Sequence, residues 1–165
     1  MRVFPQGWCA EAEAFQPAAL AGEWAQFEAL LGRDIPSLTH AIIVLSRDAG
    51  ELLNEGQRKD LWRAFRVPVF EQILAENGSL LAAECEAHDG LHVESPGLAM
   101  EAGCVEGIAL APEHTVRGGI PAGADERCHR VPLCALIDEP CGCGKTAPRL
   151  KRVSRDRERI LSIAV

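Results

Sequence analysis

The apolar positions of this chain fall into short runs whose period changes from one segment to the next. Between Pro17 and Leu31, the residues Leu20, Trp24, Phe27 and Leu31 recur at three- to four-residue spacing, with Pro17 suited to a first turn and Gly32 to a stop. This predicts a helix over Pro17–Leu31, while the first fifteen residues of the chain, broken by Pro5 and Gly7, read as irregular. Ala41–Leu45, AIIVL, is the continuous apolar run expected of a strand covered on both faces. Asn54 is placed to cap a second helix from Glu55 to Phe65, with Leu61, Trp62 and Phe65 on its inner face. Val67–Leu74 reads as another strand, so the order strand, helix, strand predicts a right-handed crossover between parallel neighbours.

Turn signals then take over. Asn77-Gly78 marks a hairpin whose second strand is Ser79–Cys85, and Asp89-Gly90 marks another leading into Leu91–Glu94. Ser95–Ala124 is rich in Gly and Pro, with short strands expected around Gly107–Ala111 and Arg130–Ile137 and a last one over Arg159–Val165. The pattern is that of an α/β fold: a small mixed sheet, one or two flanking helices and a β-rich half. A length of 165 residues suits a single domain, residues 1–38 forming its N-terminal helical segment.

Composition narrows the classes. With 47% hydrophobic and 25% charged residues the usage is globular, and no apolar run approaches the roughly 18 residues of a membrane helix. The opening MRVFPQGWCAEAEAF turns acidic after one Arg, unlike a signal or transit peptide, so a cytoplasmic location is expected. A net charge of −7 argues against a nucleic-acid surface. The one basic cluster, Lys145–Arg159, is interrupted by Asp156 and Glu158 and has no aromatic residue to stack on bases.

Seven cysteines, an odd number in an expected reducing compartment, do not suggest a disulfide framework. Cys9, Cys104, Cys128 and Cys134 are isolated and read as small buried hydrophobes. Cys141-Gly142-Cys143-Gly144 differs: two thiols one residue apart, each followed by glycine, can turn toward one ion. Cys85-Glu-Ala-His-Asp-Gly-Leu-His92 offers the other half of a tetrahedral shell, with a thiolate and an imidazole on the two arms of a hairpin. His88 competes with His92, since C-x2-H is also a compact chelating spacing. Three Cys and one His would hold one structural zinc ion and close it to water, with a further hydrogen bond expected at the free imidazole nitrogen. A redox dithiol is the other reading of the CGC segment, but such pairs favour C-x2-C at a helix start, and Pro140 with no amphipathic helix following does not fit.

The segment AECEAHDGLHVE at Ala83–Glu94, followed by EPCGCGKTAPRLKRVSR at Glu139–Arg155, resembles the phenylacetate–CoA ligases, which are AMP-forming adenylating enzymes. AIIVLSRDAGELLNEGQRKDLWRAFRVPVFEQ resembles that family's preceding strand–helix–strand unit. The resemblance spans Thr39–Arg155, or 117 of the 165 residues. It implies zinc bound by Cys85, His92, Cys141 and Cys143, and so favours His92 over His88. The departures concern catalysis. Where the family carries a Tyr-Gly-x-Thr-Glu loop for adenylate and magnesium, this chain has FEQILAENGSLLAAEC, and it contains no Tyr at all. The family's Arg-Tyr-Arg-Thr-Gly-Asp run is replaced by VPLCALIDEPC, where Asp138 is not an equivalent ribose anchor. A phosphate loop and the lid lysine have no counterpart either, so an adenylation transition state would go unsupported.

Other chemistry reads as weaker. Cys128 and His129 are adjacent and would point to opposite faces of a strand. Glu84, Glu86 and Asp89 read as a solvated acidic hairpin, and GGIPAG at Gly118–Gly123 lacks the Lys and helix of a phosphate loop. The expectation is therefore a non-catalytic zinc protein acting on a protein partner, as a homo-oligomer, or on a small molecule. The alternative is a residual binder of nucleotide, CoA or aryl acid near Ser46–Leu53 and Val69–Leu74, or a ligase-related enzyme component. Trp8, Trp24 and the N-terminal helix are candidates to cover surface that a larger enzyme would bury.

Overall fold

The structure, a computed structural model, describes residues 2–47, 52–75, 77–94, 104–105, 108–111, 134–137 and 139–152. The expected strand at Arg159–Val165, the Gly118–Gly123 turn, Asp138 and the Cys128-His129 pair lie outside these residues. The fold is α/β with a mixed sheet and few helices. Its contacts form two compact units, 1–46 with 53–71 and 47–52 with 72–165.

The first unit opens with α1, Ala10–Phe15, where an irregular segment was expected. Phe4 and Phe15 lie 5.9 Å apart and the Arg2 guanidinium stands over both rings, which gives this short helix local support. Cys9, the residue before the helix, is half-buried rather than buried. The helix expected over Pro17–Leu31 divides into strand β1, Ala19–Gly22, and helix α2, Trp24–Glu28. Two constraints override the helical period. Ala18 O accepts from both Thr39 N (3.0 Å) and His40 N (2.8 Å), which fastens the segment beside strand β2, Ala41–Ser46. β1 and β2 then pair in parallel from Ala19↔Ala41 to Gly22↔Val44. A new helix starts only at Glu23, where a capping box with Gln26 satisfies the exposed amides.

β2 leads through helix α3, Glu55–Phe65, to strand β3, Val69–Leu74, its neighbour in the sheet. Asn54 caps α3 as expected, accepting from Gln57 N at 2.9 Å while the Gln57 side chain returns to Asn54 N. Leu61 and Phe65 are buried. Trp62, expected beside them, is 52% exposed, and Arg66 stacks on its ring at 4.7 Å. Trp62 lies about 100° around the helix from Leu61, at the edge of the inner face, with Phe65 between them. The core gathers Phe27, Leu38, Ile42, Val44, Leu61 and Val69, with Trp8 and Trp24 packed on its rim. β2 alternates between buried and half-buried positions rather than being equally covered on both faces. Glu71 lies on the buried face of β3 and accepts from Ser46 Oγ (3.1 Å) and Leu53 N (2.7 Å). A carboxylate is thereby kept in the interior to fix the chain around Ser46 and Leu53.

In the second unit the latter half of β3 pairs antiparallel with β4, Leu80–Glu84, and β4 with β5, Leu91–Val93. Asn77-Gly78 turns the first hairpin, with Gly78 at φ +82°. The second hairpin is wider than a two-residue turn: Glu84 opposes Leu91, so residues 85–90 form its loop. The two-stranded piece β6, Cys104–Val105, with β7, Ile108–Ala111, is antiparallel, and β7 runs parallel to β8, Cys134–Ile137. Strand β9, Arg149–Arg152, went unrecognised in the sequence; it lies between β5 and β8 and is antiparallel to both. Ile73, Leu81, Ala82, Leu91 and Leu150 form this unit's core.

Two substitutions test the helix that joins β2 to β3. Asn54→Ala should lower the unfolding free energy by about 1 kcal/mol through loss of the cap. Leu61→Ala should cost about 2–5 kcal/mol through the cavity it leaves. Urea denaturation followed by circular dichroism checks both, and equal effects would contradict the placement of Leu61 at the centre of the core.

Candidate metal centre

Four side chains from three segments of the second unit converge. Cys85 follows directly on β4, two residues beyond Ala83 and hence on its face. Ala83 is the cross-strand partner of His92, so thiol and imidazole lie diagonally across the hairpin. Cys141 and Cys143 come from the loop between β8 and β9. There Gly144 N donates to Cys141 O (2.9 Å) and Cys141 N to Lys145 O (3.1 Å), closing a tight knuckle. Only the second glycine is conformationally required: Gly144 has φ +86°, whereas a Cβ on Gly142 would make ordinary contact with Ala87 at 3.8 Å.

The four donor atoms of Cys85, His92, Cys141 and Cys143 all lie within 4.8 Å of one another and could hold a metal ion. Cys85 Sγ is 3.6 Å from Cys141 Sγ, and Cys143 Sγ is 3.4 Å from His92 Nε2. His92 is fully buried, and its other ring nitrogen, Nδ1, is 3.4 Å from the Ala147 carbonyl. Donation from Nδ1–H to that carbonyl leaves Nε2 as the free ligand atom directed at the thiols. His88 is elsewhere: it sits in the left-handed region at φ 51°, with Nδ1 3.0 Å from Glu84 Oε1.

The thiols are not equivalent. Hydrogen bonding from the Cys143 backbone amide, then from the neighbouring thiols and His92, draws Cys141 down to about 6. Burial pushes Cys85 up, so between these two sulfurs the negative charge settles on Cys141. Two cations flank the sulfurs. Lys145 is held protonated first by its 2.9 Å bond to Glu94 and further by the Cys143 and Cys85 sulfurs. Arg149 is held protonated first by Asp89 and further by Cys141 and Cys85.

Of the acidic hairpin, Glu86 is exposed as expected, whereas Glu84 and Asp89 are engaged rather than freely solvated. The Glu84 side chain is only 6% exposed, and Asp89 accepts from both Arg149 and Lys151. The bond from Lys151, then that from Arg149, lowers Asp89 to about 2. Arg149 was not singled out by spacing, because an Arg after Pro148 carries no chelating signal. Its role is visible only once β9 is placed beside β5.

Other features fall away from the site. Cys9, Cys85, Cys141 and Cys143 are free thiols. No helix among the described residues is long and apolar enough to cross a membrane. No protein-family model and no curated protein matches the sequence.

The Asp89 shift has a defined sign. Its pKa is lower in the folded chain than the ordinary 3.8, so its contribution to stability is complete above about pH 4 and disappears as pH falls through about 2. Asp89→Asn should thus be less stable than the parent at pH 7, with the gap closing between pH 4 and 2 when the two are compared by denaturation at each pH. A gap independent of pH would contradict the pairing. Gly90→Ala should destabilise by at least about 1 kcal/mol, because Gly90 has φ +91° and an added Cβ would lie 2.7 Å from Leu150 O. Calorimetry on the purified variant checks this.

Proposed function

We propose that this chain is a non-catalytic zinc protein, with Cys85, His92, Cys141 and Cys143 binding one structural Zn2+. The reading rests on the convergence of these four donors. Zinc bonds of about 2.3 Å to sulfur and about 2.0 Å to nitrogen in a regular tetrahedron place two sulfurs about 3.8 Å apart, and sulfur and nitrogen about 3.5 Å apart. The observed 3.6 Å and 3.4 Å are close to those edges. Three thiolates and an imidazole suit a borderline-soft ion better than Mg2+ or Ca2+, which prefer all-oxygen shells. Four protein ligands fill the tetrahedron and leave no position for an activated water, which favours a structural role over hydrolysis.

The resemblance to phenylacetate–CoA ligases supports the same four ligands. It suggests a subdomain of that architecture used as a binding or accessory module, cytoplasmic and joined to a protein partner, a second copy or a small ligand. Because the sequence lacks the adenylate loop, ribose anchor and phosphate loop of that family, adenylation is not part of the proposal.

Elemental analysis of protein purified without added metal should find close to one zinc per chain. Chelation should lower the melting temperature, and restoring zinc should recover it. Free zinc held about 1,000-fold above the dissociation constant should stabilise the fold by about 4 kcal/mol. No bound zinc, or melting unchanged by chelation, would sink the proposal.

A further inference from the structure

We propose that Arg149 is the positioning residue of the metal centre: its guanidinium ties the two ligand-bearing segments together and sets how tightly the ion is retained. This rests on the reading of the four donors as a zinc site. Arg149 Nη1 donates to the Asp89 carbonyl at 2.6 Å and also to the Asp89 carboxylate, in the loop between Cys85 and His92. Nη2 donates to the Glu139 carbonyl at 3.2 Å, two residues before Cys141. One planar cation thus spans the hairpin that carries Cys85 and His92 and the segment entering the knuckle of Cys141 and Cys143.

Its placement beside the ligands follows from register. Arg149 is the cross-strand partner of His92, so the two side chains leave the sheet on the same face. The Arg149 side chain is 3% exposed, and its Nε is the one buried side-chain nitrogen or oxygen among the described residues with no hydrogen-bond partner. An unsatisfied buried donor is unfavourable to stability. The position is thus better explained by the two carbonyls it bridges than by its own satisfaction. Three thiolates and a neutral imidazole around a divalent ion carry one net negative charge, which a neighbouring cation offsets. Lysine could supply that charge but not the fork, since its one nitrogen cannot hold both carbonyls in a fixed plane.

The test is zinc affinity and the rate of chelator-driven zinc release, measured on folded protein, for Arg149→Lys, Arg149→Met, Asp89→Asn and Leu150→Ala. Arg149→Met should bind one zinc about 10- to 100-fold more weakly, the usual loss on removing a residue that supports metal ligands. Arg149→Lys should also release zinc faster, although it keeps the charge. Asp89→Asn should release zinc more slowly than either Arg149 variant, since the Asp89 carbonyl that Arg149 holds remains. Leu150→Ala removes core packing without touching a ligand support and should lose stability with little change in release. If Arg149→Met does not fold, Arg149→Lys decides. Parental release rates in both Arg149 variants would overturn the proposal, as would an equal acceleration in Leu150→Ala. A parent protein that binds no zinc would instead overturn the metal reading itself.

Discussion

The pairing of β5 with β9 is the contact on which the second unit depends. It consists of two register positions, Leu91↔Leu150 and His92↔Arg149, extended by Val93 N donating to Pro148 O at 2.9 Å. It is short, yet it joins residues more than fifty positions apart and puts a core pair next to a ligand and its support. Gly90 permits the approach, because Leu150 O occupies the space where a Cβ would lie. The entropic cost of closing such a long loop grows only slowly with its length, so the few buried contacts made there can sustain it. Leu91 and Leu150 supply apolar burial on one side of the pair, and the donor cluster lies on the other.

This arrangement explains why a metal would matter to the fold as well as sit within it. Among the described residues, the second unit's buried cluster is Leu52, Ile73, Leu81, Ala82, Leu91 and Leu150, all aliphatic. An ion held by Cys85 and His92 on one side and Cys141 and Cys143 on the other would cross-link the two segments beside the β5–β9 pairing. The network of Asp89, Arg149 and Lys151 reinforces the same junction by electrostatics.

Much of this was legible in the sequence, for identifiable reasons. Asn54 announced the start of α3, and AIIVL announced β2, because capping and burial are local properties. Cys85 and Cys141–Cys143 were conspicuous because thiols at chelating spacing are rare in other roles. Spacing left His88 and His92 open. The structure puts His92 among the thiols and His88 against Glu84, a distinction that depends on the register Ala83↔His92, which carries His92 onto the face of Cys85. β1 was missed because Ala and Leu favour helices, and only its partner strand makes ALAG extended. β9 was missed because Arg-Leu-Lys-Arg has a single apolar residue, yet Leu150 is among the most buried side chains. Glu71 was read as an ordinary strand residue, since its acceptors' partners at Ser46 and Leu53 are distant in sequence.

The chemistry of the donor set also constrains what the centre can do. Catalytic zinc needs a replaceable ligand, and substrate must reach it. Here the imidazole is wholly buried and oriented by Ala147, two sulfurs lie close together, and only Cys143 of the three thiols is exposed. Displacing a ligand would release the knuckle from the hairpin and weaken the β5–β9 junction with it. A metal bound by these four residues would also hold the sheet together, so each opening for turnover would work against the fold. The cations at Lys145 and Arg149 point the same way. They flank sulfur and already donate to Glu94, Asp89 and Glu139, and their charge would also offset that of three thiolates around a metal.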